Sequence, residues 1–580
     1  WTKDLFANLG QLGSTRLLAN SDMNVLLLYP NFYGMNMLPP AIGLFTSILR
    51  RQGHTVALFD TTIYEGLAQV NSDKMKSDNL NARPFDDTLL KNSVRKTDPI
   101  EDFKARVRDF RPDLIAMSAT EDMYPIGITL LSALGKDRPK VVAGGVFPTF
   151  APRLAYRYAN GSVDFVIKGE GDETLAELCR LLEAGRDVSA LPGLYAEFDG
   201  RVIDNPLPRP VDLTTLPEPD YDLFDESRFY RPMQGKLWRM LPVQTIRGCP
   251  YTCAYCNSPS QMEIHNEAKE KFFRKQRIDL IHREIVHALR EYKADSFYFW
   301  ADTFLAWSDR EFFEFCDMYS EFKLPFWIQT RPETVKEERF KRLKDIGLLR
   351  AAFGVEHGND EFRQRILHRK VKNEKIIENL KIVTDLDIPI SVNNIMGFPT
   401  EKREHVFDTI ELNRHFRSDG INAYSFVPFH GTPLRTLAED LGYIERGTLA
   451  RSITAPTMLS MPDFPKEEIE GIRRCFVLYV KMPRERWPEI RKAEALDETG
   501  ERIFRTLRDE CQEKYMNYGD YAKEDDLEKV DFERDDPHKP SSVTAGSRNV
   551  DYERILRKHS AMATEASIVT VAKPSSGKAG

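Results

Sequence analysis

Short apolar runs alternate with amphipathic segments through residues 23–200. Five runs have the length and composition of buried strands: residues 24–29, 55–60, 113–119, 140–145 and 164–169. The segments between them, such as residues 40–52, have helical periodicity. Strands that are apolar throughout and alternate with helices form parallel sheets covered on both faces. Residues 23–200 therefore predict a parallel, doubly wound sheet.

A second alternating series begins near residue 241. Its six apolar runs lie at residues 242–246, 295–300, 325–329, 350–355, 388–396 and 421–427. Six strand–helix repeats favour a partial (β/α)6 barrel, whose functional groups come from the carboxyl ends of the strands. The first series fits a flavodoxin-like, Rossmann-type domain with its ligand crevice at the corresponding ends. The predicted fold class is α/β, with these two domains in succession.

The remaining segments are divided by composition. We expect an N-terminal extension at residues 1–22, the first domain at 23–200 and a proline-rich surface linker at 201–240. The barrel is expected at residues 241–435. The charged, periodic residues 436–536 predict a mainly helical C-terminal domain, and the polar residues 537–580 predict a mostly disordered tail.

Composition and charge narrow the class of protein. Hydrophobic residues make up 41% of the chain and charged residues 29%, as in ordinary globular proteins. The formal net charge of −7 gives no electrostatic case for a nucleic-acid partner. No apolar run approaches the roughly 18 residues that span a bilayer. We therefore expect a cytoplasmic protein without a transmembrane segment.

Three of the seven cysteines stand close together. Cys249, Cys253 and Cys256 follow the first barrel strand, and three thiolates at this spacing can bind three irons of a cubane cluster and leave the fourth open. A structural zinc site is the alternative, although it usually recruits a fourth Cys or His. The nearest histidine is His265, in a polar stretch. The four scattered cysteines are predicted to be small buried residues rather than parts of a disulfide framework.

This cysteine motif, with an aromatic residue before the last cysteine, closely resembles the radical S-adenosylmethionine (SAM) superfamily. The resemblance implies a 4Fe-4S cluster whose open iron binds SAM. It also implies SAM contacts at the ends of the barrel strands, at Tyr255, Asp302, Arg331, Glu356, Asn393 and Pro428. Simpler alternatives are a helix cap for Asp302 and a surface ion pair for Arg331. His357 replaces the small residue usual in the family, and we assign it no role.

Loops at the strand ends of the first domain add a second resemblance. A flavodoxin-like domain directly before a radical SAM barrel resembles the cobalamin-binding radical SAM family, over roughly residues 23–435. The resemblance implies cobalamin contacts at Pro39, Pro40, Gly43, Ser118, Ala119, Thr120, Gly144, Gly145, Phe147, Pro148, Thr149, Gly169 and Glu170. Glycines at strand ends let backbone amides approach a bulky ligand, but ordinary strand-to-helix turns are the alternative.

One departure concerns the cobalt ligand. The Asp-x-His-x-x-Gly motif that supplies a histidine to cobalt in some cobalamin proteins is absent from the loop at residues 30–38. The lower face of a bound cobalamin is therefore predicted to meet no histidine.

The two resemblances together imply a cobalamin-dependent radical SAM enzyme, with a 4Fe-4S cluster, SAM and cobalamin as cofactors. We expect a methyltransferase that acts on an unactivated carbon of a small-molecule or natural-product substrate after hydrogen abstraction by the 5′-deoxyadenosyl radical. The alternative is a cyclase or ring-rearranging enzyme without methyl transfer. An electron donor such as flavodoxin or ferredoxin is implied as a partner. Trp300, Phe326, Trp327 and Phe429 are expected either to line an apolar pocket or to belong to the core.

Overall fold

The structure is a computed structural model that describes residues 22–67, 72–198 and 200–516. The predicted extension at residues 1–22, apart from Asp22, and the predicted disordered tail at 537–580 lie outside these ranges.

The first domain is built on a seven-stranded sheet. Its strands are β1 (Asn24–Tyr29), β2 (Thr55–Asp60), β3 (Leu114–Ser118), β4 (Lys140–Gly144), β5 (Phe165–Ile167), β6 (Leu194–Phe198) and β7 (Arg201–Asp204). The spatial order is β2-β1-β3-β4-β5-β6-β7, and the first five strands pair in parallel. This order confirms the predicted flavodoxin-like core. The antiparallel pair β6 and β7 was not predicted.

Helices cover both faces of this sheet. They are α1 (Pro40–Arg51), α2 (Ser72–Asp78), α3 (Thr88–Asn92), α4 (Pro99–Phe110), α5 (Tyr124–Ser132), α6 (Val146–Phe150), α7 (Pro152–Tyr158) and α8 (Asp172–Glu183). Alternate residues of each strand point to opposite faces, so β1 sends Val25 and Leu27 into one buried cluster and Leu26 and Leu28 into another. The sheet is therefore buried on both sides, as its continuous apolar strands require.

The segment at residues 201–240 differs from the predicted surface linker. Its first four residues form β7, and its last part forms β8 (Tyr230–Met233) and the beginning of β9 (Lys236–Gln244). Tyr221 and Phe229 between them are buried. The prolines interrupt regular helices and strands in this segment. Its aromatic side chains are nevertheless buried against apolar neighbours.

The second sheet confirms the partial barrel. Its further strands are β12 (Ser296–Trp300), β13 (Phe326–Thr330), β14 (Leu348–Glu356), β15 (Ile390–Met396) and β16 (Gly420–Ser425), and a small separate pair is formed by β10 (Ile246–Arg247) and β11 (Arg274–Lys275). The order is β16-β15-β14-β13-β12-β9-β8. Six of these strands are parallel, and only β8 is antiparallel to its neighbour.

Helices surround the barrel and form the C-terminal part of the described chain. They are α9 (Asn257–Glu267), α10 (Ile278–Tyr292), α11 (Asp309–Tyr319), α12 (Glu337–Asp345), α13 (Asp360–Arg365), α14 (Asn373–Asp385), α15 (Arg403–Arg414), α16 (Pro433–Asp440), α17 (Lys466–Lys481), α18 (Trp487–Ala493) and α19 (Glu498–Lys514). From residue 466 onward the described chain is mainly helical, as predicted. In the described ranges no helix combines the length and apolar character needed to cross a membrane.

Candidate functional site

The three clustered cysteines lie on the loop after the first parallel strand of the barrel. Gly248, with φ of 89°, turns the chain out of β10, and α9 begins directly after Cys256. Cys249 and Cys253 are buried and Cys256 is half-buried. Burial raises the pKa of Cys249, and it raises the pKa of Cys256 to about 12. The loop therefore presents three free thiols at the carboxyl end of the barrel.

The arrangement of these thiols bears on the choice between iron–sulfur cluster and zinc. Across residues 22–67, 72–198 and 200–516, no three His, Cys, Asp or Glu side chains are grouped tightly enough to bind one metal ion. A structural zinc needs four such donors around a single ion, whereas a cubane spreads its thiolates over separate irons. The donor set therefore fits a three-cysteine cluster better than a zinc site. The scattered Cys179, Cys316, Cys475 and Cys511 are buried, as predicted.

Arg331 lies against the cysteine loop. Its Nη1 donates to the sulfur of Cys253 (2.9 Å), and its Nε donates to Glu333 (2.8 Å). Its guanidinium also stacks over the Tyr251 ring, 3.9 Å from the ring centre. Arg331 is only 9% exposed, so the alternative of a surface ion pair is wrong. The side chain instead brings a positive charge next to the predicted cluster.

A second buried arginine, Arg369, was missed in the sequence. It donates to the Gly354 carbonyl oxygen (2.8 Å), to Glu333 (3.2 Å) and to Glu356 (3.4 Å), and its Nη1 is 3.5 Å from the hydroxyl of Tyr255. Its neighbour in the sequence, His368, is exposed as expected for a solvated turn. Arg369 itself is only 1% exposed. It stands in the basic run His368-Arg369-Lys370, and nothing in that run indicates that Arg369 is buried while its neighbours are exposed.

The two carboxylates that share Arg369 are shifted in opposite directions. Burial raises the pKa of Glu356, and the positive charge of Arg369 only partly opposes this. Burial also raises the pKa of Glu333, but the charges of Arg369 and Arg331 outweigh it and leave that pKa below its ordinary value. Glu356 also has the left-handed φ of 71°. The two carboxylates paired with Arg369 therefore differ in how readily each accepts a proton.

Asp302 lies on the other side of the cysteine loop. It accepts a hydrogen bond from Ser258 in α9 (2.7 Å), and its side chain is exposed rather than buried. The next helix, α11, is capped by Ser308, so the alternative that Asp302 is a helix cap is wrong. Thr303 beside it lies 3.5 Å from the sulfur of Cys249.

The two remaining predicted SAM residues have other surroundings. Asn393 accepts from the Asn422 side chain (2.8 Å) inside the barrel. The carbonyl oxygen of Pro428 accepts from Arg435 (2.9 Å). Tyr255, Arg331 and Glu356 thus share one buried network, while Asp302, Asn393 and Pro428 stand at three other places around the carboxyl half of the barrel.

A cavity of about 390 Å³ lies between the first domain and the barrel, and we call it the interdomain cavity. Eight of the thirteen predicted cobalamin residues line it, all at strand ends of the first domain: Pro39, Pro40, Ser118, Gly144, Gly145, Thr149, Gly169 and Glu170. Its opposite wall includes Gly248 beside the cysteine loop, and Trp300 and Asp302 at the end of β12. One cavity therefore reaches from the strand ends of the first domain to the predicted cluster.

The other five predicted cobalamin residues are not among those lining this cavity. Gly43 packs on the segment after the first domain, where an added Cβ would lie 2.6 Å from the Tyr221 ring. Ala119 sits behind Gly145, so close that a Cβ on Gly145 would lie 2.2 Å from its carbonyl oxygen. Thr120 is exposed, while Phe147 and Pro148 are buried in α6. These residues shape the loops rather than line the space.

The cavity wall formed by the first domain suits a large flat ligand. A Cβ added to Gly144 would meet only the Ile167 carbonyl oxygen, at 3.8 Å, so it would project into otherwise open space. Because Gly144 has no side chain, its backbone is exposed to the cavity, as close approach of a bulky ring requires. The residues present therefore fit the predicted cobalamin.

Charged residues tie the two walls together at the rim. Arg247, just before the cysteine loop, donates to Glu170 (3.0 Å) and Asp172 (2.8 Å) of the first domain. Arg274 donates to Glu170 as well (2.9 Å). Burial raises the pKa of Glu170, but these arginines outweigh it and hold that pKa below its ordinary value. A second link joins Glu121 to His430, whose backbone nitrogen donates at 2.9 Å.

The four aromatic residues singled out in the sequence have different roles. Trp300 lines the interdomain cavity, and Trp327 lines a second cavity inside the barrel. Phe326 is fully buried in the core, and Phe429 is half-buried. The expectation of a cavity lining is therefore correct for Trp300 and Trp327, and the expectation of a core position is correct for Phe326.

Comparison with known families agrees with this geometry. Residues 243–412 match the family described as the radical SAM superfamily, and residues 80–179 match the B12 binding domain. A radical SAM domain and a B12 binding domain in one chain are the domain pair of the cobalamin-binding radical SAM enzymes. The cofactors of this chain are therefore a 4Fe-4S cluster, SAM and cobalamin, and the cysteine loop and the interdomain cavity are the places in the structure that fit them.

Several relatives resemble this radical SAM enzyme over much of their length. An uncharacterized methyltransferase from Pyrococcus horikoshii is 25% identical over 65% of this chain and 81% of its own. The anaerobic magnesium-protoporphyrin IX monomethyl ester cyclase of Rubrivivax gelatinosus is 22% identical over 69% of this chain and 72% of its own.

A solved structure shows the same fold at lower identity. The cobalamin-dependent SAM radical enzyme OxsB, with aqua-cobalamin and SAM bound, has a TM-score of 0.58 at 16% identity, covering 95% of this chain and 82% of that one.

Proposed function

We propose that this radical SAM enzyme is a C-methyltransferase that adds a methyl group to an unactivated carbon of a small-molecule substrate. The observation that carries the proposal is the interdomain cavity, because strand ends of the first domain form one wall and residues beside the cysteine loop form the other. When bound, the cluster with SAM supplies the hydrogen-abstracting 5′-deoxyadenosyl radical, and methylcobalamin supplies the methyl group.

The residues around the cluster have distinct proposed tasks. Cys249, Cys253 and Cys256 would hold the cluster. Tyr255, Asp302, Arg331, Glu356, Asn393 and Pro428 would contact SAM. The carboxylates of Asp302 and Glu356 favour the SAM amino group, and Arg331 favours the SAM carboxylate. Because Arg331 is buried and already faces a cysteine sulfur, it would orient SAM beside the cluster rather than merely attract it.

The wall formed by the first domain would hold cobalamin. The eight predicted residues that line the interdomain cavity are the proposed contacts, and Glu170 joins them to the cysteine loop through Arg247. Among the described residues lining this cavity there is no histidine. This supports a cobalt without a histidine on its lower face, a state that favours release of the upper methyl group.

The test is anaerobic reconstitution with iron, sulfide, cobalamin and SAM, followed by product counting. A methyltransferase of this kind yields one 5′-deoxyadenosine and one S-adenosylhomocysteine for each methylated product. Formation of 5′-deoxyadenosine with product but without S-adenosylhomocysteine would overturn methyl transfer. Spectra of a histidine-ligated cobalt would overturn the proposed cobalt environment alone.

The second candidate is a cyclase or ring-rearranging enzyme with the same cofactors. It is favoured by the similarity to the magnesium-protoporphyrin cyclases, which reaches 32% identity over 146 residues of the protein from Synechocystis. The same product count separates the two functions, since this candidate makes no S-adenosylhomocysteine. For either function we propose an electron donor such as flavodoxin or ferredoxin, and a reducing, cytoplasmic location that keeps the thiols available.

A further inference from the structure

A buried pair of side chains, His357 and Glu401, joins the ends of β14 and β15. Nε2 of His357 lies 3.1 Å from a carboxylate oxygen of Glu401, and both side chains are fully buried. His357 directly follows Glu356 at the end of β14, and Glu401 lies in the loop between β15 and α15. The pair therefore connects two neighbouring strand ends on the side of the barrel where the SAM contacts are proposed.

The hydrogen bonds of His357 define which of its nitrogens carries the proton. Nδ1 accepts from the backbone nitrogen of Asn359 (3.1 Å), so Nδ1 is unprotonated and the imidazole is neutral. Nε2 then carries the proton and donates to Glu401. The ring also stacks on Phe362 of α13, with 4.5 Å between the ring centres. His357 is therefore a hydrogen-bond donor in a fixed orientation rather than a cation.

Glu401 uses its second carboxylate oxygen to hold the turn after β15. That oxygen accepts from the backbone nitrogens of Gly397 and Phe398, the latter at 3.0 Å. Within the part of the chain that the structure describes, no lysine or arginine forms an ion pair with Glu401. A buried carboxylate without a cation depends on the hydrogen bonds that it accepts. The donation from His357 is therefore one of three that hold this carboxylate, and with it the turn.

The turn reaches the cysteine loop through Phe398. The ring of Phe398 is fully buried and packs on Tyr255, with 5.9 Å between the ring centres. Tyr255 directly precedes Cys256. The Tyr255 hydroxyl lies 3.5 Å from Nη1 of Arg369, the arginine that also donates to Glu356. A shift of the turn would therefore displace the Tyr255 ring and disturb the charged network beside the predicted cluster.

The other partner of the pair, His357, acts on Glu356 through the backbone. The register of β14 against β15 shifts between Gly354 and Glu356, and Glu356 has the left-handed φ of 71°. A register shift of this kind re-aims a side chain. The Glu356 carboxylate folds back over Gly354, where an added Cβ would collide with it. The hydrogen bond between His357 and Glu401 fixes the residue that follows this strained position.

We propose that His357 is a positioning residue for SAM. Through Glu401 it holds the turn that packs on Tyr255, and through the backbone it holds Glu356 in place. Groups that are fixed before a ligand arrives bind it at a lower entropic cost, so the neutral imidazole strengthens SAM binding without touching SAM. This inference rests on the proposed function, because Tyr255 and Glu356 are the SAM contacts proposed there.

The test measures binding in the enzyme with an unreduced cluster, which cannot cleave SAM. Equilibrium dialysis gives the dissociation constants of SAM and of cobalamin for the wild type, His357→Asn and His357→Gln. Gln places an amide nitrogen near the position of Nε2 and keeps the donation to Glu401, whereas Asn reaches only to the position of Nδ1. We expect His357→Asn to weaken SAM binding about tenfold and His357→Gln to weaken it about threefold or less, with cobalamin affinity unchanged in both.

Three results in folded variants would overturn the proposal. These are unchanged SAM affinity in His357→Asn, equal loss of SAM and cobalamin affinity, and equal loss of SAM affinity in the Asn and Gln variants. Circular dichroism checks folding. If His357→Asn does not fold, Phe398→Leu decides, because it keeps the buried pair and removes the ring that packs on Tyr255. Selective loss of SAM affinity in Phe398→Leu would then support the proposal, and unchanged affinity would overturn it.

The matched control is His405→Asn. The His405 ring lies 6.2 Å from that of His357, but its Nδ1 accepts from the backbone of Lys402 and the side chain makes no hydrogen bond to Glu401 in the described chain. His405→Asn should keep both affinities. Because no turnover is measured, the product count can refute methyl transfer and leave this inference standing, and a normal SAM affinity in His357→Asn refutes this inference alone.

Discussion

The first-domain wall of the interdomain cavity and the region around the cysteine loop are built by different physical means. The first-domain wall is mostly backbone, proline and small residues at strand ends, with Gly144 leaving open space where a side chain would project. The region around the cysteine loop is instead a set of buried charges, with Arg331 and Arg369 shared among carboxylates and a cysteine sulfur. We expect the first-domain wall to select its ligand by shape, and the charged network around the cysteine loop to select its ligand by charge. The two cofactor functions should therefore fail separately.

The largest separation is expected at the cysteine loop. Cys253→Ala removes one of three thiolates, so the cluster should be lost and 5′-deoxyadenosine formation should fall below detection, while cobalamin still binds. Iron content, the cobalamin spectrum and product analysis measure these effects. The control is Cys316→Ala, since Cys316 is a buried cysteine in α11, away from the site, and this variant should keep cluster and activity. Full iron content in Cys253→Ala would contradict the cluster assignment.

The charged network should be sensitive to loss of its central cation. Arg369→Met leaves Glu356 without its cation and Glu333 with Arg331 alone, which should cost about 3 kcal/mol of unfolding free energy. SAM cleavage should fall as well, with a higher KM for SAM. Denaturant unfolding and 5′-deoxyadenosine assays check both effects. Lys370→Met changes the exposed neighbour and should be silent. A stable Arg369→Met enzyme with normal KM would show that the network does not position SAM.

The link between the two walls should be visible in the pH dependence of stability. The pKa of Glu170 lies below its usual 4.5, so its stabilising effect is present above that pH and is lost as the pH falls through the lowered value. Glu170→Gln should cost about 2 kcal/mol at neutral pH and lose less stability on acidification than the wild type. Urea unfolding across this range measures it. Glu173→Gln, at an exposed position of α8 just after Glu170, is the control, and equal acid slopes in all three proteins would refute the assignment.

The smallest effect is expected on the shape-selective wall. Gly144→Leu places a side chain in open space, so unfolding of the cofactor-free protein should change by only about 0.5 kcal/mol. Cobalamin affinity should fall about tenfold or more, because the side chain occupies the ligand's space. Cluster content should not change. Equilibrium dialysis with cobalamin measures the affinity, and Gly66→Leu at an exposed turn is the control. Unchanged affinity in Gly144→Leu would move cobalamin away from this wall.

Strands and the residues that directly follow them could be predicted from the sequence, whereas the burial and orientation of loop residues could not. Strand periodicity placed β1 to β5 and the six parallel barrel strands, and residues that directly follow a strand, such as Asp302 and Arg331, came to the same end of the barrel. Arg369 escaped because its burial depends on a turn that folds back over β14, and nothing in its local sequence distinguishes it from exposed neighbours. Ala119 and Phe147 were predicted as contacts because periodicity marks loops but does not say which side of a loop faces the ligand. The β6 and β7 pair was missed because the proline-rich stretch after it obscured a short hairpin.

The central claim is that the two cofactors share one cavity, and a magnetic measurement tests it most directly. Electron paramagnetic resonance of the reconstituted enzyme, reduced so that the 4Fe-4S cluster and cob(II)alamin are both paramagnetic, measures their magnetic interaction. Because residues beside the cysteine loop and the strand ends of the first domain line the same space, the cob(II)alamin signal should broaden or split when the cluster is reduced, and should not do so in Cys253→Ala. A cob(II)alamin signal that is unaffected by cluster reduction in the wild type would contradict the account.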